Sequence, residues 1–360
     1  MRPPARPFCF RKRYKMKKIT ALFLAAALLA LALCACSFGS GSPDSDEKSL
    51  SFEAMDTFVS VKLYGAEQET ADKIESEIKR LDSELSVVNA EGDDNYVYRL
   101  NRDGSVKAPD DVADLARQSL ELCKSTNGAL DVTVYPFVEE WGFVSKNYKI
   151  PSKSRLSELS PLVDYRNVAQ SGSELSFKKD GMKLDFGAVA KGFAADRVRG
   201  ILEDKASSAI VNLGGTVLAY GKKPGGSQWR VGVADPENSA AYMGMISCTG
   251  KIIATSGSYE RCFTGEDGKT YSHIIDPKTG IPVDNGILSV TIISDSGLRS
   301  DALSTALFVM GKDGAEKYYR KNRNFDFIIL TADKKAYVTA GVYDDFKLAD
   351  GYDYEIVKVE

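Results

Sequence analysis

The sequence predicts an α+β fold: one compact domain of mixed or antiparallel sheets with packed helices. Three observations predict it. From Leu50 onward, stretches of period-two alternation trade places with stretches of helical spacing; no long linker separates them; and two late apolar runs flank a short polar turn. With 43% apolar and 27% charged residues, 360 residues suffice to bury a real core, which excludes disorder and fibrous repeats.

The elements follow in order. Val59, Val61 and Leu63 alternate with Ser60 and Lys62, the pattern of a half-buried strand. Ile74, Ile78, Leu81 and Leu85 recur at helical spacing among charged residues. A second helix is expected from near Pro109, with Val112, Ala116, Leu120 and Cys123 on one face, stopping at Asn127-Gly128, where glycine supplies a left-handed cap. Next come a helix over about Ala188–Leu202, strands near Ala209–Asn212 and Trp229–Val233, and a β region from Lys251 to Ser294. A helix over Asp301–Met310 follows, and the chain closes on a hairpin, Phe325–Leu330 with Lys335–Thr339.

The amino terminus reads as an address, not as fold. Eight cations and no acid fall within the first 35 residues; they precede or flank the apolar run Ile19–Ala35, and polar residues follow. Leu33-Cys34-Ala35-Cys36 resembles a bacterial lipobox, so residues 1–35 are expected to be a lipoprotein signal and Cys36 the lipid anchor to the membrane. Met16 would start a signal of ordinary length, making residues 1–15 an over-extended start. The competing reading is a transmembrane anchor, for which this run is at the short limit. Residues 36–49 are expected to form anchor and flexible tether, and 50–360 the folded domain. Without the signal, 39 cations face 50 acids, a balance of −11, so a nucleic-acid partner is not expected. Neither a disulfide framework nor a CxxC site is expected from Cys36, Cys123, Cys248 and Cys262. A single His excludes any multi-histidine metal centre.

Four stretches carry candidate chemistry. The first is a Gly128-led loop with one carboxylate, Asp131, before an apolar strand or turn. In the second, Leu184-Asp185-Phe186-Gly187, a strand is expected to end in Asp and Gly and a helix to begin, whose exposed N–H groups and Lys191 would attract an anion. Lys191 precedes Gly192, so this is not a Walker A loop, and turn chemistry alone explains an Asp-Gly joint equally well. The third holds His273, at a strand end beside an Asp276-Pro-Lys-Thr-Gly turn; neutral imidazole accepts a proton near pH 7, although a lone His is commonly structural. In the fourth, Asp301 and Thr305 share a helical face and offer hard oxygens suited to Mg²⁺, or simply an acidic helix start and a solvated Thr.

Taken together these stretches resemble the ApbE family of FAD:protein FMN transferases. The matching blocks run in order: Ala54-Met55-Asp56-Thr57, TNGALDVTVYPFVEEWGF, LDFGAVAKGFAADRV, VNLGGTVLAYG, ATSGSYER, HIIDPKTG and SDALSTALFVMG. The resemblance implies an ApbE-like domain that splits FAD between its phosphates, passes FMN through a phosphoester bond to a Thr or Ser of another protein, and releases AMP. It implies flavin-dinucleotide contacts at Met55, Ala129, Leu130, Asp131, Asp185, Lys191 and Ile275, and Mg²⁺ held by the Ala188 carbonyl with Asp301 and Thr305. His273 would be the general base. Some members carry a second carboxylate where Ser304 stands, and many an aromatic residue after the first helix, where this chain has Ser86-Val87-Val88-Asn89. The acceptors would be extracytoplasmic redox proteins, with the enzyme on the outer side of the cell membrane. Two other readings stay open: an Mg²⁺-dependent FAD pyrophosphatase, and a solute-binding lipoprotein.

Overall fold

The computed structural model of the chain describes residues 47–88 and 94–360. The signal, Cys36 and most of the tether lie outside the described residues. At its centre is a nine-stranded sheet, β1 Glu47–Ala54, β2 Thr57–Tyr64, β3 Ser208–Leu213, β4 Thr216–Tyr220, β5 Lys251–Gly257, β6 Ile287–Ser294, β7 Asp326–Thr331, β8 Lys335–Thr339 and β9 Glu355–Val359. These labels also give the order across the sheet, a meander antiparallel from β1 to β8 and parallel only between β8 and β9. The α+β expectation with mixed sheets therefore holds. Two boundaries move: Glu47–Ser49, expected in the tether, belong to β1, and the late hairpin is followed by a parallel strand.

The helices are α1 Gln68–Leu85, α2 Tyr96–Asp103, α3 Asp110–Ser125, α4 Tyr135–Glu140, α5 Lys153–Leu159, α6 Ala190–Leu202 and α7 Gly297–Lys321. Ile74, Ile78, Leu81 and Leu85 of α1 are buried, as their spacing requires. Helix α3 ends as expected: Gly128, at φ 72°, donates its N–H to the Cys123 carbonyl at 2.8 Å. Helix α7 begins four residues earlier than its pattern and continues beyond Met310 across a break at Gly311 (φ 75°). Past the break it is mostly polar and buries only Ala315 and Tyr319, four apart, so its periodicity is faint. Helix α2 escapes sequence reading for the same reason, with only Val97 and Leu100 buried.

Both faces of the sheet are covered. Helices α1, α6 and α7 pack on one side, and a small sheet of Trp229–Asp235, Asn238–Cys248 and Phe346–Leu348 on the other. Neighbours in one strand therefore enter opposite cores: Ile252, Ile292 and Ile329 face the helices, while Ile253, Ile293, Ile328 and Leu330 face the small sheet. That is why β6 and β7 read as nearly continuous apolar runs. A third cluster, around Phe137, Trp141 and Ile275, joins α4 to the turn after His273. Among the described residues no helix is long and apolar enough to cross a membrane.

Candidate active site

Helices α6 and α7 cross where two glycines meet. A Cβ on Gly192 would collide with the carbonyl oxygen of Gly297, and one on Gly297 with that of Gly192. Such closeness brings the α6 start against the first turn of α7. Asp196 fixes the register: its carboxylate accepts from the backbone N–H groups of Gly297 at 2.7 Å and Leu298 at 2.9 Å, capping α7. One turn farther along, Asp301 is almost wholly buried, and its Oδ2 accepts from the N–H of Gly192 at 2.9 Å. Lys191 Nζ stands 3.7 Å from Oδ1 of the same carboxylate. Gly192→Ala is expected to lower stability by about 1–3 kcal/mol through overpacking. A denaturant midpoint equal to that of the unaltered chain would contradict this.

Two residues 110 apart in sequence, Lys191 and Asp301, thus form one centre. Thr305 lies beside it: its hydroxyl is 3.2 Å from Ser256 Oγ, which is also 2.7 Å from Ser304 Oγ. Ser304 is fully buried and donates to the Asp301 carbonyl at 2.7 Å, so it supports the helix. Ala188 occupies the turn between Asp185 and α6. No three His, Cys, Asp or Glu side chains gather as a metal group among the described residues. The expected donors are a carboxylate, a hydroxyl and a carbonyl oxygen, a hard set that suits Mg²⁺ completed by water and phosphate oxygens. The ammonium of Lys191 at Oδ1 marks the same place as one where positive charge is favourable.

The other predicted contacts lie on the loops before α4 and α6, on the β1–β2 turn and just after His273. Asp185 donates its backbone N–H to the Val132 carbonyl at 2.8 Å, tying its loop to the Gly128-led one, and its Oδ1 accepts from the Gly187 N–H at 2.8 Å. Desolvation raises the pKa of its carboxyl above the ordinary carboxylate value. Asn101 of α2 clamps the same loop, accepting from the Leu184 N–H at 2.6 Å and donating to its carbonyl at 2.8 Å. Asp131 turns inward: both its oxygens are engaged, by the N–H and hydroxyl of Thr133 and the N–H of Tyr165. Burial raises its pKa as well. Residues 129–134 form turns leading into α4 rather than a strand, and no strand is formed at 182–186. The side chains of Ala129, Leu130 and Ile275 are core, and the N–H groups of Ala129 and Leu130 are engaged by the Thr126 carbonyl and hydroxyl, each at 3.2 Å.

Met55 and Asp56 form the two-residue turn of the β1–β2 hairpin at φ 53° and 56°. A type I′ turn needs positive φ at both places, normally met by Asn and Gly. Holding non-glycine residues there costs about 1–2 kcal/mol each, and the Asp82 carboxylate supports the turn by accepting the Met55 N–H. Such strain is a known accompaniment of ligand sites.

His273 follows the short strand Thr270–Ser272. Its backbone N–H reaches the Arg261 carbonyl at 2.9 Å and its ring Nδ1 the same oxygen at 3.2 Å. A carbonyl only accepts, so Nδ1 carries the proton and Nε2 keeps a free lone pair. Burial first, then the positive charges of Arg261 and Lys191, push the imidazole down to about 4, so it is neutral near pH 7.

Sequence reasoning passed over several neighbours. Glu260 is open to solvent as a residue, yet desolvation pushes its carboxyl up to about 7 against the opposing pull of Lys191 and Arg261. Tyr98 and Tyr135 line a cavity of about 390 Å³ with Val87, Val88, Glu139, Val144 and Ser145. Asp185 is near enough to Tyr135 that, with burial and Glu139, it helps push that phenol up to about 12. The block ATSGSYER contained Glu260 and Arg261, but neither had a partner visible in sequence.

Known proteins resemble this chain over most of its length. A protein named FAD:protein FMN transferase from Haemophilus influenzae is 31% identical over 304 residues, 79% of this chain and 87% of that one. Its namesake from Escherichia coli K12 is 29% identical over 83% of this chain and 88% of its own. Among solved structures, the ApbE protein of Thermotoga maritima superposes with a TM-score of 0.72 at 29% identity, covering 85% of this chain and 97% of that one. The apo flavinyl transferase ApbE of Pseudomonas stutzeri gives 0.70 at 27%, over 81% and 93%. The ApbE family model matches residues 55–329, and the chain accordingly belongs to the ApbE family.

Proposed function

We propose that the chain is an Mg²⁺-dependent FAD:protein FMN transferase acting on extracytoplasmic acceptor proteins while held to the membrane through Cys36. The relatives that bear this name support it, and the arrangement of Lys191, Asp301 and the neutral His273 carries it. Asp301, Thr305 and the Ala188 carbonyl would hold Mg²⁺, which supplies charge neutralisation at the diphosphate oxygens. Lys191 adds a second positive charge there. Met55, Asp185 and residues 129–131 and 275 position the dinucleotide, and the Tyr98–Tyr135 cavity has the apolar walls a flavin ring needs.

His273 Nε2 takes the proton of the acceptor Ser or Thr hydroxyl. The oxygen attacks the FMN phosphorus, the P–O bond of the diphosphate breaks, and AMP leaves with the electron pair. A phosphoester of FMN on the acceptor remains.

The test is a soluble form starting at Ser37, incubated with FAD, Mg²⁺ and a candidate acceptor domain. A flavin-fluorescent band on the denatured acceptor is the expected result. Free FMN and AMP with an unlabelled acceptor would favour the pyrophosphatase reading.

A further inference from the structure

A diphosphate brings two negative charges to a site already rich in acids: Asp56, Asp185, Glu260 and Asp301 act electrostatically on one another or on shared neighbours. Two cations serve the same space, Lys191 and Arg261, and Lys191 is engaged with Asp301. Arg261 is held loosely. Its guanidinium is 3.7 Å from Asp56, and the two side chains are 53% and 85% exposed, a pairing worth little in water.

The backbone of Arg261 is held firmly. Its carbonyl receives both the N–H and the ring Nδ1 of His273, and the next residues, Cys262 and Ser272, pair across the hairpin. A weakly paired, half-exposed guanidinium thus hangs from the peptide that orients the base. Its charge acts on both His273 and Asp185, and the Asp56 that holds it acts on Asp185 too, so the guanidinium lies within reach of both. If His273 serves attack at phosphorus, the phosphates must come within the same reach.

We propose that Arg261 is a diphosphate-binding residue, kept by Asp56 at the hairpin tip and exchanged from it to the substrate's phosphate oxygens. Its planar fork matches a phosphate in a way an ammonium does not. The inference rests on the FAD reading above and names a residue that reading does not need. Asp56 then sets how readily the guanidinium is released.

Calorimetric titration of FAD and of ADP into the unaltered protein, Arg261→Gln, Arg261→Lys and Asp56→Asn tests it. Arg261→Gln is expected to weaken both ligands about tenfold or more and to flatten the salt dependence of Kd, with partial recovery in Arg261→Lys. Asp56→Asn is expected to bind both as tightly as the unaltered protein or more so. Arg261→Gln binding within twofold of the unaltered protein, or Asp56→Asn weakening binding as much as Arg261→Gln, would overturn the inference. Those results would leave the transfer reading standing if FMN still reached an acceptor. An unaltered protein that binds no FAD would remove both.

Discussion

His273→Ala slows FMN transfer by about 10²–10⁴, the usual worth of general-base help, and leaves the Kd for FAD within a few-fold. The expectation follows from one oxygen atom. Because the Arg261 carbonyl fixes the proton on Nδ1, the ring presents Nε2 as its sole basic nitrogen. Its pH behaviour is specific too. An ordinary imidazole would protonate near 6.5, whereas burial and two nearby cations bring this one down to about 4. The base form therefore persists as pH falls from 7 to 5, and the acid limb of kcat/KM for the acceptor lies below pH 5. A limb centred near 6.5 would mean that the ring is not held as described, and full activity in His273→Ala would transfer the role to a carboxylate.

Asp301→Ala is expected to abolish most transfer, by about 10²–10³ or more, because the charge that neutralises the phosphates loses its one carboxylate ligand. A second variant separates ligand from scaffold. Asp301→Asn keeps an oxygen to accept from the Gly192 N–H, so its thermal unfolding stays near that of the unaltered chain while Mg²⁺ affinity falls. Removal of metal by EDTA is expected to stop the unaltered enzyme, and added Mg²⁺ to restore it. Should Asp301→Asn bind Mg²⁺ normally, or EDTA leave transfer intact, the metal assignment would be wrong.

Much of this was legible in sequence where periodicity is strong. Ile74 to Leu85 announced α1, and His273 was expected at a strand end, where it lies. The turn chemistry around Gly128 was legible as well, because only a left-handed residue closes α3 that way. What stayed hidden is what depends on partners distant in the chain. Lys191 read as a cation for an anion and Asp301 as a hard ligand or an acidic helix start, but their direct approach depends on Gly192 and Gly297, whose role is the absence of a side chain. The partners of the Asp131 carboxylate, Thr133 and the N–H of Tyr165, could not be read from the sequence either. Asp196 carried no signal at all, since its partners are the backbone N–H groups of another helix. Likewise the strain at Met55 and Asp56 is a property of the hairpin turn, invisible until the strands pair.

The central claim is that FMN goes to a protein oxygen and not to water. Quantifying AMP against protein-bound FMN, with the labelled acceptor peptide identified by mass spectrometry, tests it most directly. The account predicts one AMP per FMN attached to a Ser or Thr, with no excess of free FMN. AMP released in step with free FMN, and an acceptor of unchanged mass, would contradict it.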